Sequence, residues 1–227
     1  MMVTKKFDSS ADLQDNLLSL IEVNLLIETK SSNEVKVLLS SGTSSLSLYK
    51  RFKELSKVNW SKVRFGLVDE KWINNESKET NFYNISEALG DTILQKASLT
   101  PLVYDLKNEN NNLSLAKLSN SVFLNEKSIV LLELGLDGHT ASLFPNTVQT
   151  ENALSEIYPD ISLNIAPFQP KKRLTHNLKS LLNSKKIILI VSGKENEDVL
   201  KRANKELLPI SYVMNTLSSE VEIFWSL

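Results

Sequence analysis

The 227-residue sequence predicts an α/β fold: a single domain over residues 1–227, with a mostly parallel, Rossmann-like sheet covered by helices on both faces. Three observations lead to this class. Short apolar runs alternate with segments of helical period, the pattern of successive βα units. Four of the six glycines, Gly42, Gly135, Gly138 and Gly193, stand just after predicted strands. No internal repeat and no linker-like stretch divides the chain.

Each element has its own signal. Residues 12–29 carry Leu13, Leu17, Leu20, Ile21 and Leu25, close to the spacing of an amphipathic helix. Residues 35–39 read as a strand that ends in Ser40-Ser41-Gly42-Thr43-Ser44-Ser45, with a helix over 46–55 behind it. A second strand covers 63–68 and runs into Asp69-Glu70-Lys71. Thr80 is placed to cap a helix through Ala88, with Gly90 stopping it. Residues 107–112 are polar and Asn-rich and read as a loop, and 113–124 as a helix. Strands follow over 129–134, 186–191 and 221–225, with a helix over 195–206 between the last two.

Composition narrows the function. Of the residues, 41% are hydrophobic and 23% charged, enough for a sizeable core. The net charge is −1 and no basic stripe marks a nucleic-acid binder. With no cysteine, thiolate nucleophiles and cysteine metal sites are excluded. No apolar run reaches the length of a membrane span, and the N-terminus lacks a signal-peptide pattern, so a cytoplasmic protein without membrane partners is expected. The pattern leaves the oligomeric state open.

In a parallel sheet the loops at the carboxyl ends of the strands share one edge, where such folds bind ligands. The glycine loops, the hydroxyls of residues 40–45, Asp69-Glu70-Lys71 and Asp137-Gly138-His139 should therefore meet at one cleft. Ser40, Gly42, Thr43 and Ser44 form either a phosphate cradle or a simple capped helix start. Asp69 and Lys71 belong either to a binding site or to a solvated charge cluster. Arg173, in Lys171-Lys172-Arg173, is either a phosphate ligand or part of a basic surface loop. His139 is the candidate general base, since imidazole exchanges protons near neutral pH. A histidine merely packed under the turn is the alternative. The other histidine, His176, lies in a helix-like segment and is expected at the surface. One histidine with nearby carboxylates is no metal-ligand set, so no metal and no cofactor are expected.

In this order the segments resemble the 6-phosphogluconolactonase family, from about Val35 to Trp225. The most specific part is Gly135-x-Asp137-Gly138-His139-Thr140-Ala141-Ser142-Leu143-Phe144-Pro145, similar to that family's G-x-D-G-H-T-A-S-L-F-P signature without a mismatch. Residues 40–45 resemble its S-G-G-S/T-T-P loop, with Ser41 in place of a glycine and Ser45 in place of the proline. Lys71 replaces the arginine of a D-E-R triplet, Asn81 falls at an S-N pair, and Arg173-Leu174-Thr175 resembles R-I-T. Glu133 stands where the family often has a glycine. The resemblance implies hydrolysis of 6-phospho-D-glucono-1,5-lactone to 6-phosphogluconate in the pentose phosphate pathway. It implies His139 as base, Asp137 shaping the turn or orienting the imidazole, and Gly135 and Gly138 as part of the site. The small-molecule partner would be a phosphorylated sugar lactone, with its phosphate on Gly42-Thr43-Ser44, Lys71 and Arg173 and no nucleic acid involved. Glucosamine-6-phosphate deaminases share the strand-end loops, but an F-N-E-P type sequence follows their histidine where Ser142-Leu143-Phe144-Pro145 stands here. A deaminase or sugar-phosphate isomerase, with Asp69 as base, and a non-catalytic sugar-phosphate sensor are the rival expectations.

Overall fold

The computed structural model describes residues 2–227. In chain order it runs β1 (Met2–Phe7), α1 (Ser10–Ser31), β2 (Val35–Leu39), α2 (Thr43–Tyr49), β3 (Val63–Leu67), β4 (Asp69–Lys71), α3 (Asn81–Leu94), β5 (Ser98–Thr100), α4 (Glu109–Ser119) and α5 (Ser121–Leu124). It continues with β6 (Lys127–Glu133), α6 (Val148–Ser155), β7 (Ile161–Ile165), β8 (Lys172–His176), α7 (Leu178–Leu182), β9 (Ser184–Ser192), α8 (Lys194–Ala203), α9 (Pro209–Met214) and β10 (Glu220–Ser226).

Seven strands form one parallel sheet in the order β1-β10-β9-β6-β2-β3-β5. Alternate strand residues face opposite sides, so the sheet has two cores. Val37, Leu39, Ile129, Leu131, Ile188 and Ile190 pack with Leu13, Leu17, Ile21 and Leu25 of α1, Leu48 and Tyr49 of α2, and Ile85 of α3. Leu38, Val130, Leu132, Ile187, Leu189 and Val191 pack with Phe123, Ala153, Leu181, Val199 and Val213 from α5 to α9. Helices thus cover both faces, as the alternating pattern requires. Among the described residues no helix is long and apolar enough to cross a membrane.

A second sheet, β4-β8-β7, is antiparallel and was not expected. β4 and β8 are short and charged and give no strand period, whereas β7, Ile161-Ser162-Leu163-Asn164-Ile165, alternates apolar and polar residues, a strand signal that the sequence reading passed over. Lys71, Lys172 and Arg173 are therefore strand residues. β1 is also new: it is an edge strand, mostly exposed, whose lysines hide the pattern of a buried strand. Thr80 caps α3 as expected, accepting from the Tyr83 N–H, but Gly90 does not stop the helix. It takes φ 67° and kinks it, and helical turns continue to Leu94. The 46–55 helix starts earlier, at Thr43, and after Tyr49 gives way to a single 3-10 turn. The 107–112 loop is cut short because Asn108 caps α4, accepting from the Asn111 N–H.

His176 is the clearest correction. It is a strand residue with no exposed surface, and its Nδ1 lies 2.7 Å from Ser180 Oγ. Lys127 is buried nearby and donates to the carbonyls of Phe123 (2.8 Å) and Ser180 (2.5 Å). Burial, reinforced by the charge of Lys127, pushes His176 down to about 3. Burial, reinforced by Lys36, pushes Lys127 from 10.5 down to about 7. Between those two values the unfolded chain holds a proton on Lys127 that the folded chain lacks. Stability therefore rises with pH in this window, by up to about 1.4 kcal/mol per pH unit from this group. Urea unfolding across pH 7.5–9.5 should show this slope in the wild type and lose it in Lys127→Met. Equal slopes would mean that Lys127 stays charged in the fold.

Candidate active site

The parallel register sets the site. β2 and β6 are neighbours, with Val37 opposite Ile129 and Leu38 opposite Val130. Their carboxyl ends deliver the 40–45 loop and the 133–139 turn side by side, and β4 and β8 form the opposite wall. The cleft between them measures about 240 Å³ and is lined by Ser40, Ser41, Gly42, Asp69, Lys71, Asn81, Glu133, Leu134, Gly135, His139, Ala141, Ser142, Phe144, Phe168 and Arg173.

The turn carrying His139 is tightly made. Gly135 N–H donates to His139 O and Gly138 N–H to Gly135 O, both at 2.9 Å. His139 N–H donates to Asp137 Oδ1 at 3.1 Å. These three donors are thus used within the turn and are not available to an oxyanion. The imidazole lies flat over Gly135, where an added Cβ would meet its ring atoms at 2.1 Å. Gly138 takes φ 87° and abuts Leu208, so it shapes the turn without lining the cleft. His139 Nδ1 and Asp137 Oδ1 are 2.5 Å apart. Partial burial raises the Asp137 carboxyl, but hydrogen bonds and charge from His139 outweigh it and hold the group below its usual range. An ionised Asp137 only accepts, so Nδ1 carries the proton and Nε2 presents its lone pair. Phe144 packs against the ring at 4.7 Å between centroids.

The opposite wall is a strip of antiparallel sheet. Lys71 faces Arg173 and Asp69 faces Thr175 across the pair. Two cations directly opposite one another repel, unless an anion lies between them. Arg173 is 3% exposed, and its Nη1 is buried without a hydrogen-bond partner. Its guanidinium sits over the Phe168 ring at 5.7 Å, and Phe168 in turn meets Phe144 edge-on. Lys71 Nζ donates to Asn81 Oδ1 at 3.1 Å. Asp69 accepts from Ser142 Oγ (2.5 Å) and Asn81 Nδ2 (3.2 Å), so both its oxygens are engaged. Beneath the strip Glu70 has no exposed surface and accepts the backbone N–H groups of Lys71 (2.7 Å), Asn81 (2.8 Å) and Phe82 (2.7 Å). Burial pushes its carboxyl up to about 7, against the pull of those three donors.

The 40–45 loop departs from expectation. Thr43 and Ser44 do not line the cleft: Thr43 is exposed, and Ser44 Oγ pairs with Ser192 Oγ at 2.8 Å. Gly193 heads α8 away from the cleft. Glu133 was noted in sequence only as standing at a glycine position, yet its carboxylate enters the cleft, and Oε1 accepts the Ser45 N–H at 2.8 Å. A charged residue closing the apolar run of β6 was the signal available for it. Ser142 and Phe144 were visible within the histidine segment, whereas nothing near Phe168 marked it. Among the described residues no group of three or more His, Asp or Glu side chains is arranged to hold a metal ion.

The pattern defining the glucosamine-6-phosphate isomerases/6-phosphogluconolactonase family matches residues 8–225. The chain belongs to that family. Within it, the chain is 30% identical to a 6-phosphogluconolactonase of Helicobacter pylori strain J99, over 97% of this chain and 96% of the relative. A 6-phosphogluconolactonase of Xylella fastidiosa is 27% identical over 96% and 94%. Among solved structures, a 6-phosphogluconolactonase from Shewanella baltica superposes with a TM-score of 0.91 at 26% identity, covering 100% of this chain and 98% of that one.

Two substitutions probe this geometry. Gly135→Ala must displace the imidazole and should lower kcat about 100-fold with the circular dichroism spectrum retained. A kcat within twofold of wild type would mean that the ring position does not matter. Glu70→Gln turns an amide NH2 towards backbone donors and should cost about 1–3 kcal/mol in urea unfolding.

Proposed function

We infer that this chain hydrolyses 6-phospho-D-glucono-1,5-lactone to 6-phosphogluconate, the lactonase step of the pentose phosphate pathway. The relatives just named carry that activity in their names. The observation that carries the reading in this chain is the pairing, across one small cleft, of an Asp137-held imidazole with two opposed cations. The imidazole suits water activation, and the cations suit a phosphate.

The lactone is an activated ester, so a positioned water suffices. His139 Nε2 takes a proton from that water as its oxygen bonds to C1. The tetrahedral intermediate then collapses, the C1–ring oxygen bond breaks, and protonated His139 returns the proton to the ring oxygen. Asp137 keeps Nδ1 protonated and stabilises the imidazolium that forms midway. The phosphate lies on Lys71 and Arg173, a remote charge whose binding energy positions the lactone. An isomerase or deaminase reading needs a free base beside the sugar. Asp69 is poorly suited, since Ser142 and Asn81 occupy its oxygens.

With freshly generated lactone, and above the uncatalysed rate, His139→Ala should lower kcat by about 10²–10⁴-fold with the fold intact. Near-normal turnover would remove His139 as the base. Arg173→Ala should raise KM for the phosphorylated lactone about 10- to 100-fold, the worth of a charged hydrogen bond. An equal rise with unphosphorylated glucono-1,5-lactone would place the phosphate elsewhere. Release of ammonia from glucosamine 6-phosphate, with no lactone hydrolysis, would favour the deaminase.

A further inference from the structure

Glu133 is a carboxylate inside the cleft that the hydrolytic steps do not use. It ends β6 one residue before the turn that carries His139, and it lies across the cleft from the cationic strip. Both of its oxygens are turned to the 40–45 loop. Oε1 accepts the Ser45 N–H at 2.8 Å. Oε2 lies so close over Gly42 that an added Cβ there would come within 1.2 Å of it. Gly42 is thus the residue that lets the carboxylate rest on the loop backbone.

The loop is braced around this contact. Ser40 Oγ and Ser45 Oγ are 3.1 Å apart, the Tyr49 hydroxyl donates to Ser40 O at 2.9 Å, and Gln14 donates to Ser44 O at 2.9 Å. Burial holds the Tyr49 phenol far above its usual range, so it stays a donor. The loop is therefore braced and already filled by a carboxyl group belonging to the chain itself, which burial holds above its usual range against the pull of the Ser45 hydrogen bonds. A phosphate brought to it would find the Ser45 N–H and the space over Gly42 already taken by Glu133, and would meet like charge whenever that group is ionised. At the other wall, Lys71 and Arg173 face one another, Arg173 Nη1 lacks a partner, and the one carboxylate, Asp69, is taken up by Ser142 and Asn81.

We propose that Glu133 is a specificity-determining residue: its carboxylate closes the 40–45 loop to phosphate and so directs the substrate's phosphate to Lys71 and Arg173. This rests on the lactonase reading and deepens it, because it fixes which way round the sugar phosphate lies. The sugar end is left to the wall formed by Glu133, Gly135 and His139. A sugar hydroxyl, which carries no charge, can donate to Glu133.

The test is the binding of inorganic phosphate, measured by titration calorimetry and independent of turnover. Wild type should bind one phosphate per chain, and Arg173→Ala should lose it. Glu133→Gln keeps an oxygen for the Ser45 N–H but removes the charge. It should bind phosphate about tenfold tighter or take up a second phosphate, and Glu133→Gln/Arg173→Ala should still bind. Such a gain of affinity is not the result of structural damage. Glu133→Gln affinity equal to or below wild type, or a double variant as inert as Arg173→Ala, overturns the proposal. If Glu133→Gln does not fold, Arg173→Ala alone decides: binding retained within tenfold of wild type means that the loop is open. Wild-type lactone hydrolysis is assayed separately. Its absence alongside the expected phosphate shifts would overturn the lactonase reading and leave the phosphate's position standing.

Discussion

The pairing of β2 with β6 is the constraint on which the rest of this molecule depends. Those two strands lie side by side in parallel, although nearly ninety residues separate them in the chain. Parallel pairing brings both carboxyl ends to the same edge, and each end continues into a loop that needs a glycine, Gly42 on one side and Gly135 on the other. A register slip of one residue would exchange the two cores and also carry Glu133 away from Gly42. Packing and chemistry are thus set by the same ladder of hydrogen bonds.

The opposite wall is held differently. The β4-β8 strip is too short to carry its own core, so it is secured from below by a single buried carboxylate. Glu70 gathers the backbone of its own strand and the first turn of α3 into one unit. That turn carries Asn81, whose side chain links Lys71 to Asp69. Glu70, which does not line the cleft, therefore decides through Asn81 where its charges stand. Lys71, Arg173 and Asp69 stand on this wall, with Asp69 taken up by Ser142 and Asn81, while Glu133 stands on the other.

Much of this was legible in the sequence. The apolar runs marked every strand of the main sheet except its two outermost, β1 and β5. β1 is exposed and lysine-bearing, and β5 is three residues long. In the small antiparallel sheet, β4 and β8 were hidden because charged residues break the period that reveals a strand, whereas β7, Ile161-Ser162-Leu163-Asn164-Ile165, carries a plain apolar/polar alternation that marked it in the sequence. Of the candidate residues, Ser40, Gly42, Asp69, Lys71, Asn81, Gly135, His139 and Arg173 were brought together along one cleft by the fold. Thr43 and Ser44 were not, since hydroxyls next to a glycine look the same in sequence whether they face a ligand or cap a helix. His176 was misplaced for a related reason: a polar residue in a short segment suggests surface, and only the three-dimensional neighbourhood of Lys127 and Ser180 shows it enclosed.

Gly138 links this cleft to a distant part of the chain. It packs against Leu208, and its carbonyl accepts the Ile210 N–H at 3.2 Å, so the turn that presents His139 is completed by residues some seventy positions later. During synthesis every cleft-lining side chain has emerged before this brace exists. The growing chain can therefore form the β9-β6-β2-β3-β5 part of the sheet first and acquire a correctly aimed imidazole only when α9 docks. Competence would then arrive abruptly, with the docking of α9, rather than building up with the fold.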